Sequence, residues 1–388
     1  MARISIGRGR ARRSLPVRPT TVIGTAAGAV GATVGAVWLR QALRGLPLAM
    51  GASSRRIARA AADAPQFADG QFRNTIPTRT LEPGTVLDMS RAMAERGDRG
   101  KPARSIPVAT PEIPAQAGDL AATWFGHASV LLELDGARLL LDPVWGERVS
   151  PSPLVGPARM HPVPMPLADL PPVDAIVISH DHYDHLDLPT VRTLLRTQRA
   201  PFLVPRGVGE HLRRWRVPED RIVELDWDGT VEVAGITATC TESRHFSGRG
   251  FKRNTSLWSS WTFTGPRHRV FFGGDTGYTP AFAEVGQRLG PFDLTILPIG
   301  AYGPSWPHIH LDPEEAVKVH LDLGGDAVML PIHWATFDLA LHAWGEPIER
   351  LLAAAGAGIT VVTPRPGARV DLSEGAPSPD PWWVPVAG

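Results

Sequence analysis

Ser179-His180-Asp181-His182-Tyr183-Asp184-His185 concentrates metal-binding side chains beyond anything that packing requires. It follows Val173-Asp174-Ala175-Ile176-Val177-Ile178, an apolar, β-branched stretch that reads as a buried strand. A His-x-His-x-Asp-His pattern therefore sits on the loop leaving a core strand. Imidazole and carboxylate together suit zinc, and also iron or manganese. Three His and one Asp within six residues exceed the set of one catalytic metal, which usually has three protein ligands and an open position. Two metals side by side account for the excess. A solvated polar loop would have no use for this order of residues.

Two metals need further ligands, and other strand ends supply candidates. His245 lies in Thr241-Glu242-Ser243-Arg244-His245-Phe246, just past an extended run. Asp275 follows Phe271-Phe272-Gly273-Gly274, where glycines bring backbone close to a ligand. His333 follows Val328-Met329-Leu330-Pro331-Ile332. Each of the three occupies the same setting, the exit of a hydrophobic strand.

Short strands are expected at 121–125, 130–134 and 137–141, with Asp135-Gly136 closing a tight hairpin. Residues 151–172 form a Pro-dense loop of the kind used as a lid or rim. Helix-like and strand-like pieces then alternate, with helices near 188–199, 207–215, 280–289, 313–321 and 346–355 and strands near 202–204, 294–298, 327–330 and 359–362. Strands dominate 221–273. The pattern implies two sheets packed face to face with helices outside.

At 388 residues there is room for one large domain plus extensions, or for two modest domains. The 40 basic and 39 acidic residues nearly balance, so nothing points to nucleic acid. The balance is local, however: residues 1–20 hold six Arg and no acid. Residues 21–39 are apolar, rich in small residues and free of charge, long enough to span a bilayer as a helix. They read as a membrane anchor or an export signal, giving membrane association, at the cell membrane with the side undecided; a soluble Ala/Gly helix is the plainer alternative. Residues 40–118 read as a connecting and wrapping segment, 119–372 as the catalytic domain and 373–388 as a Pro-rich tail. The single Cys240 excludes a disulfide framework and a Cys-rich zinc module, and its apolar/Thr surroundings mark it as a buried thiol.

Thr123-Trp124-Phe125-Gly126-His127-Ala128-Ser129, Leu141-Asp142-Pro143, the 179–187 run, Gly274-Asp275-Thr276-Gly277-Tyr278 and Pro331-Ile332-His333-Trp334 resemble the metallo-β-lactamase-fold hydrolases. More narrowly they resemble the N-acyl-phosphatidylethanolamine-hydrolysing phospholipase D (NAPE-PLD) branch and its bacterial relatives, over residues 120–355. The resemblance implies an α/β fold, an αββα sandwich of two mixed β-sheets flanked by helices. It implies two Zn²⁺, with Mn or Fe as alternatives: His180, His182 and His245 on one, Asp184, His185 and His333 on the other, and Asp275 bridging. The implied activity is a metal-dependent phosphodiesterase whose zinc-activated hydroxide attacks a lipid-like phosphodiester, with Asp184 orienting the hydroxide as the catalytic residue.

His127 is expected beside the ligands or at the pocket, and Tyr302, Trp306, His308 and His310 along the substrate groove. There Ser305 stands where the lipid-cleaving branch usually carries Arg before the Trp. His161, His211, His268, His320 and His342 are expected as surface or packing residues. Competing readings are a lactonase or β-lactamase on the same fold, and a non-catalytic membrane-tethered interaction protein.

Overall fold

Loops that leave strands at one edge of a two-sheet sandwich hold the residues singled out above, and the sheets explain why that edge collects them. The computed structural model describes residues 35–81, 91–92, 94–373, 375–377 and 380–387. The chain divides into two units, residues 1–44 and 45–388. In the first, residues 35–42 are helical. The second begins with a single helical turn, Leu46–Ala49, followed by helix α1 (Ser54–Ala60) and the short paired strands β1 (Phe67–Ala68) and β2 (Gln71–Phe72).

The first large sheet starts as a meander of β3 (Leu120–Gly126), β4 (Ser129–Leu134) and β5 (Ala137–Leu141). The β4–β5 turn is the expected hairpin, with Asp135 and Gly136 at φ 48° and 88°, the left-handed pair that matches strand twist. The chain then runs parallel through β6 (Ala175–Val177), β7 (Phe202–Pro205) and β8 (Ile222–Leu225). The second sheet repeats this plan. Strands β9 (Thr230–Val233), β10 (Ile236–Thr241), β11 (Ser260–Thr264) and β12 (Arg269–Phe272) are antiparallel, whereas β13 (Leu294–Pro298) and β14 (Val328–Ile332) add in parallel. A last strand, β15 (Arg369–Asp371), returns to pair with β3 in the first sheet.

Side chains alternate between two cores with the period of two that a strand imposes. Val130, Leu132 and Leu134 of β4, with Leu139 and Leu141 of β5, meet Ala238, Trp261 and Phe263 of the opposite sheet. Leu131 and Leu140 face outward, onto Val191 and Leu194 of α2 (Leu188–Thr197) and Leu212 of α3 (Gly209–Arg214). Helices α4 (Ala281–Leu289), α5 (Pro313–Asp322) and α6 (Glu346–Ala355) cover the second sheet through Phe282, Val319 and Leu351. The architecture is two mixed sheets flanked by helices, as the sequence pattern implied. Cys240 is wholly buried in the shared core.

One expected strand is absent. Residues 359–362 make only an isolated parallel bridge, Val361 beside Met329; Pro364 and Pro366 follow and have no N–H to extend a ladder. Among the described residues no helix is long and apolar enough to cross a membrane. Most of the apolar segment read from the sequence, residues 21–34, lies outside the described residues, as do residues 1–20.

Residues 380–387, within the stretch read as a Pro-rich tail, carry Trp382 and Trp383 into the core. Trp382 stacks on Trp334 at 5.3 Å between ring centres, and Trp334 stacks in turn on Trp124 at 5.7 Å. Trp334 directly follows His333, so this aromatic column underlies a candidate ligand. Trp382→Ala should destabilise the domain by about 3–5 kcal/mol, read as a lower midpoint in urea denaturation. A change under about 0.5 kcal/mol, the level of ordinary surface substitutions, would show that the column does not support the fold.

Candidate metal centre

Parallel strands end level with one another, so the loops after β5, β6, β12 and β14 emerge together. Asp142 after β5, His333 after β14 and His127 in the β3–β4 turn at the same edge are in left-handed backbone, with φ of 37°, 64° and 53°, a conformation that costs non-glycine residues energy. Gly274 shows why glycine precedes Asp275. A Cβ there would lie 2.5 Å from the Ser179 Cβ, so the two ligand loops touch only because that position has no side chain.

These turns aim the predicted residues at one buried point. The Asp275 carboxylate lies 3.2 Å from His185 Nε2, 3.0 Å from His333 Nε2, 3.8 Å from His245 Nε2 and 4.0 Å from His180 Nε2. Two sets form around it. His180, His182, His245 and Asp275 offer ligand atoms all within 4.8 Å of one another, and so do His127, Asp184, His185 and His333. His310 joins Asp275 and His333 in a third such group, with its Nδ1 3.8 Å from the Asp275 carboxylate. Every metal-ligand candidate named from the sequence is therefore at the centre, and His127 and His310 with them.

The hydrogen bonds around the rings indicate which nitrogens are free to ligate. His180 Nδ1 meets the Ser179 hydroxyl at 2.9 Å and His245 Nδ1 donates to the Ile309 carbonyl at 2.6 Å, leaving each Nε2 a lone pair directed inward. His182 Nδ1 sits between those two nitrogens, 2.8 Å and 3.3 Å away. In the other set, His185 Nδ1 donates to Asp142 at 2.7 Å, and His127 Nε2 donates to Asp184 Oδ2 at 2.9 Å.

Among the described residues His185 Nε2, Asp275 Oδ1, His310 Nδ1 and both ring nitrogens of His333 are buried without a hydrogen-bond partner. Buried polar atoms rarely go unpaired, and here they converge. Nitrogen and carboxylate lone pairs facing one another at these distances fit divalent cations.

The electrostatics agree. Burial pushes His180 and His245 well below the usual imidazole range, keeping them neutral as ligands must be. Burial also opposes charge on His185 and His333, but the surrounding carboxylates, Asp275 foremost, outweigh it. His185 is lifted well above its usual value and His333 to about 9. This half of the centre therefore calls for positive charge. His127 is held down to about 3 and His310 to about 4, burial leading in both.

Supporting residues were only partly readable. Asp142, fully buried, accepts from the Ser179 amide at 2.7 Å and its hydroxyl at 2.6 Å as well as from His185. The sequence marked it only as part of a resembling motif. Asn74, in the segment read as wrapping, brackets His245 by donating to its carbonyl at 2.8 Å and accepting from its amide at 3.1 Å. No local pattern singles out such a residue, because its role depends on a contact 171 positions away.

The substrate-groove expectations divide. Tyr302 and His310 line a cavity of about 570 Å³ together with His342, Glu315, Leu341 and Arg350. Trp306 and His308 do not line it. Trp306 is buried, its indole N–H donating to the Ala301 carbonyl at 2.7 Å, because packing with Ile309 and Ala340 draws the ring inward. His308 Nδ1 instead accepts from the Arg79 amide at 3.1 Å. His161, His211, His268 and His320 are packing residues bonded to Thr336, Asp181, Asp135 and Thr295. His342, expected among them, borders the cavity.

The chain belongs to the beta-lactamase superfamily, whose domain profile matches residues 137–334, and by fold and kinship it is a metallo-hydrolase related to the NAPE-PLD branch. It is 40% identical over 245 residues to the N-acyl-phosphatidylethanolamine-hydrolyzing phospholipase D 1 of Caenorhabditis elegans, covering 60% of this chain and 68% of that one. An uncharacterised protein of Mycobacterium tuberculosis H37Rv is 53% identical over 352 residues, 89% of this chain and 94% of its own. Among solved structures, an isothiocyanate hydrolase from Delia radicum gut bacteria shares the fold, with TM-score 0.51 and 20% identity over 65% of this chain and 99% of that one.

Asp142→Asn should keep the left-handed turn, which Asn tolerates, yet remove the charge that orients His185. Metal affinity should fall about 10- to 100-fold in competition with a chelator; unchanged affinity would refute the role. Loading the metal-free protein at pH 7 should also release protons, because His185 and His333 hold them there, and affinity should weaken as pH falls. Calorimetry in two buffers of different ionisation enthalpy measures this, and zero release would contradict it.

Proposed function

We propose that this protein is a dinuclear metal phosphodiesterase acting on an N-acylated ethanolamine phospholipid or a related lipid-like phosphodiester, with zinc as its metal. The observation that carries the reading is the convergence of two ligand sets on Asp275, and the 40% identity to a NAPE-PLD supports the substrate class. His180, His182 and His245 would hold one ion and Asp184, His185 and His333 the other, with Asp275, whose carboxylate reaches both sets, available to either. When bound, such a pair supplies Lewis-acid stabilisation of the phosphoryl oxygens and water activated near neutral pH.

The remaining work falls to side chains. His127 pins Asp184 Oδ2, so the carboxylate can orient the attacking water besides holding a metal. His310, neutral and lining the cavity, stands between the centre and the substrate space. A cavity near 570 Å³ suits a headgroup-sized ligand, and Arg350 there is held by Glu314 and Glu346. Residues 21–39 would tether the enzyme to the cell membrane, near a lipid substrate.

Metal-analysed full-length protein tested on a phosphodiester, an N-acylated phospholipid, a lactone and a β-lactam, with His182→Ala as control, discriminates the hydrolase readings. Turnover of the phosphodiesters alone is the expected result. A preference for the lactone or β-lactam would reassign the substrate class, and metal-replete protein with no hydrolysis would leave an interaction protein. Asp184→Asn should lower kcat by roughly 10²–10⁴ while KM moves only a few-fold. Equal turnover in a metal-replete variant would remove Asp184 from the chemistry.

A further inference from the structure

The His-rich loop has a second face. His180 and His182 turn toward the metal centre, whereas Asp181 between them turns away. Its carboxylate accepts from the Gly248 amide at 2.7 Å and the Ser256 hydroxyl at 2.8 Å and meets His211 at 3.1 Å. Asp181 also forms part of the wall of a separate cavity of about 670 Å³, bordered by Arg56, Arg214, Arg249, Lys252 and Phe251. Four cationic side chains thus share this cavity with one acid, and that acid is already saturated by donors.

The cations are unequal. Arg56 is paired with Glu210, but among the described residues neither Arg214 nor Lys252 makes an ion pair. Arg249 is buried, 5% exposed. It is held rigidly, with Nη1 donating to the Asp181 and Leu186 carbonyls at 2.7 Å and Nη2 to the Ala49 carbonyl at 2.8 Å. Its guanidinium lies 4.0 Å from the Tyr183 ring centre and 5.1 Å from that of Trp215. Its Nε alone has no partner. An unspent buried donor beside two unpaired cations is an arrangement that lacks an anion.

Beside it, Phe251 is fully exposed, at 105%, on a turn whose neighbours Gly250, Lys252 and Arg253 are also exposed. An aromatic ring next to free cations matches a molecule that is both anionic and apolar.

We infer that this cavity is a binding site for a phosphate ester, taken from an anionic lipid headgroup at a bilayer surface, distinct from the metal centre and independent of its chemistry. Arg214 and Lys252 supply charge, Arg249 the rigid donor, and Phe251 enters the interfacial layer. Bound lipid would rest against the same loop that carries His180 and His182, placing the centre at the membrane surface.

The test uses metal-loaded full-length protein and the double variant Arg214→Glu/Lys252→Glu, whose exposed positions leave the fold and the hydrolysis of a soluble phosphodiester unchanged. Cosedimentation compares vesicles of phosphatidylcholine alone with vesicles containing phosphatidylglycerol. The Arg-rich residues 1–20 add to any anionic preference, but equally in wild type and variant, so the difference between the two proteins reports on the cavity. The wild type should prefer the anionic vesicles. The variant should lose roughly tenfold or more of that preference, and Phe251→Ser should weaken binding to the anionic vesicles. In a second arm, inorganic phosphate is titrated while tryptophan fluorescence is followed, Trp215 being the reporter beside Arg249. A phosphate response abolished in the double variant, without any vesicle preference, supports the anion site but assigns it to soluble phosphate esters. An equal preference and an equal phosphate response in wild type and double variant would overturn the proposal.

Discussion

Buried negative charge is the constraint around which this molecule is arranged. Asp275 has almost no contact with water and stands among the imidazoles of His180, His185, His245 and His333. A carboxylate taken from water costs several kcal/mol unless opposite charge and hydrogen bonds replace its hydration. Asp184 and Asp142 add to the same demand beside His185. The fold meets part of it by packing rings at short range, and what remains is a shortage of positive charge at one point. That shortage is the physical content of the proposed metal centre.

Holding such a centre requires a frame that cannot relax. The level ends of the parallel strands bring the loops together, and left-handed turns at His127, Asp142 and His333 store strain that flexible loops would release. Trp124, Trp334 and Trp382 stack beneath His333, while Asn74 grips the backbone of His245 from the other side. His127 links these parts: its carbonyl accepts from the His333 amide at 3.0 Å and the Trp124 indole at 2.8 Å, while its ring reaches Asp184. The metal-facing geometry is thus braced by residues that themselves need not touch a metal.

The alternation of side chains along the His-rich loop divides its labour. His180 and His182 serve the centre, and Asp181 anchors the loop to Ser256, His211 and the Gly248 amide. Through Arg249 and His211, residues 46–52 are tied to the same loop: Ala49 accepts from the Arg249 guanidinium, and the Ala52 amide donates to His211, which in turn meets Asp181. The candidate metal centre on one face and the basic cavity on the other therefore share one structural element.

How much was readable follows from the range of each interaction. The His-x-His-x-Asp-His run, the strand exits at His245, Asp275 and His333, the Asp135-Gly136 hairpin and the α5 and α6 helices are local patterns, and their periodicity and spacing survive in one dimension. For Trp306 and His308 a motif says only which residues share a stretch, whereas packing of Trp306 against Ile309 and Ala340 and the bond of His308 to the Arg79 amide decide where each ring points. Asp142 as the orienter of His185, Asn74 as the clamp on His245 and the C-terminal tryptophans as core are properties of contacts between distant positions. The candidate ligands were thus legible in the amino-acid sequence alone, because metal chemistry selects residue types. The bracing of those ligands and the second, basic face of their loop were decided by the tertiary structure, because only folding brings residues more than a hundred positions apart within a hydrogen bond of one another.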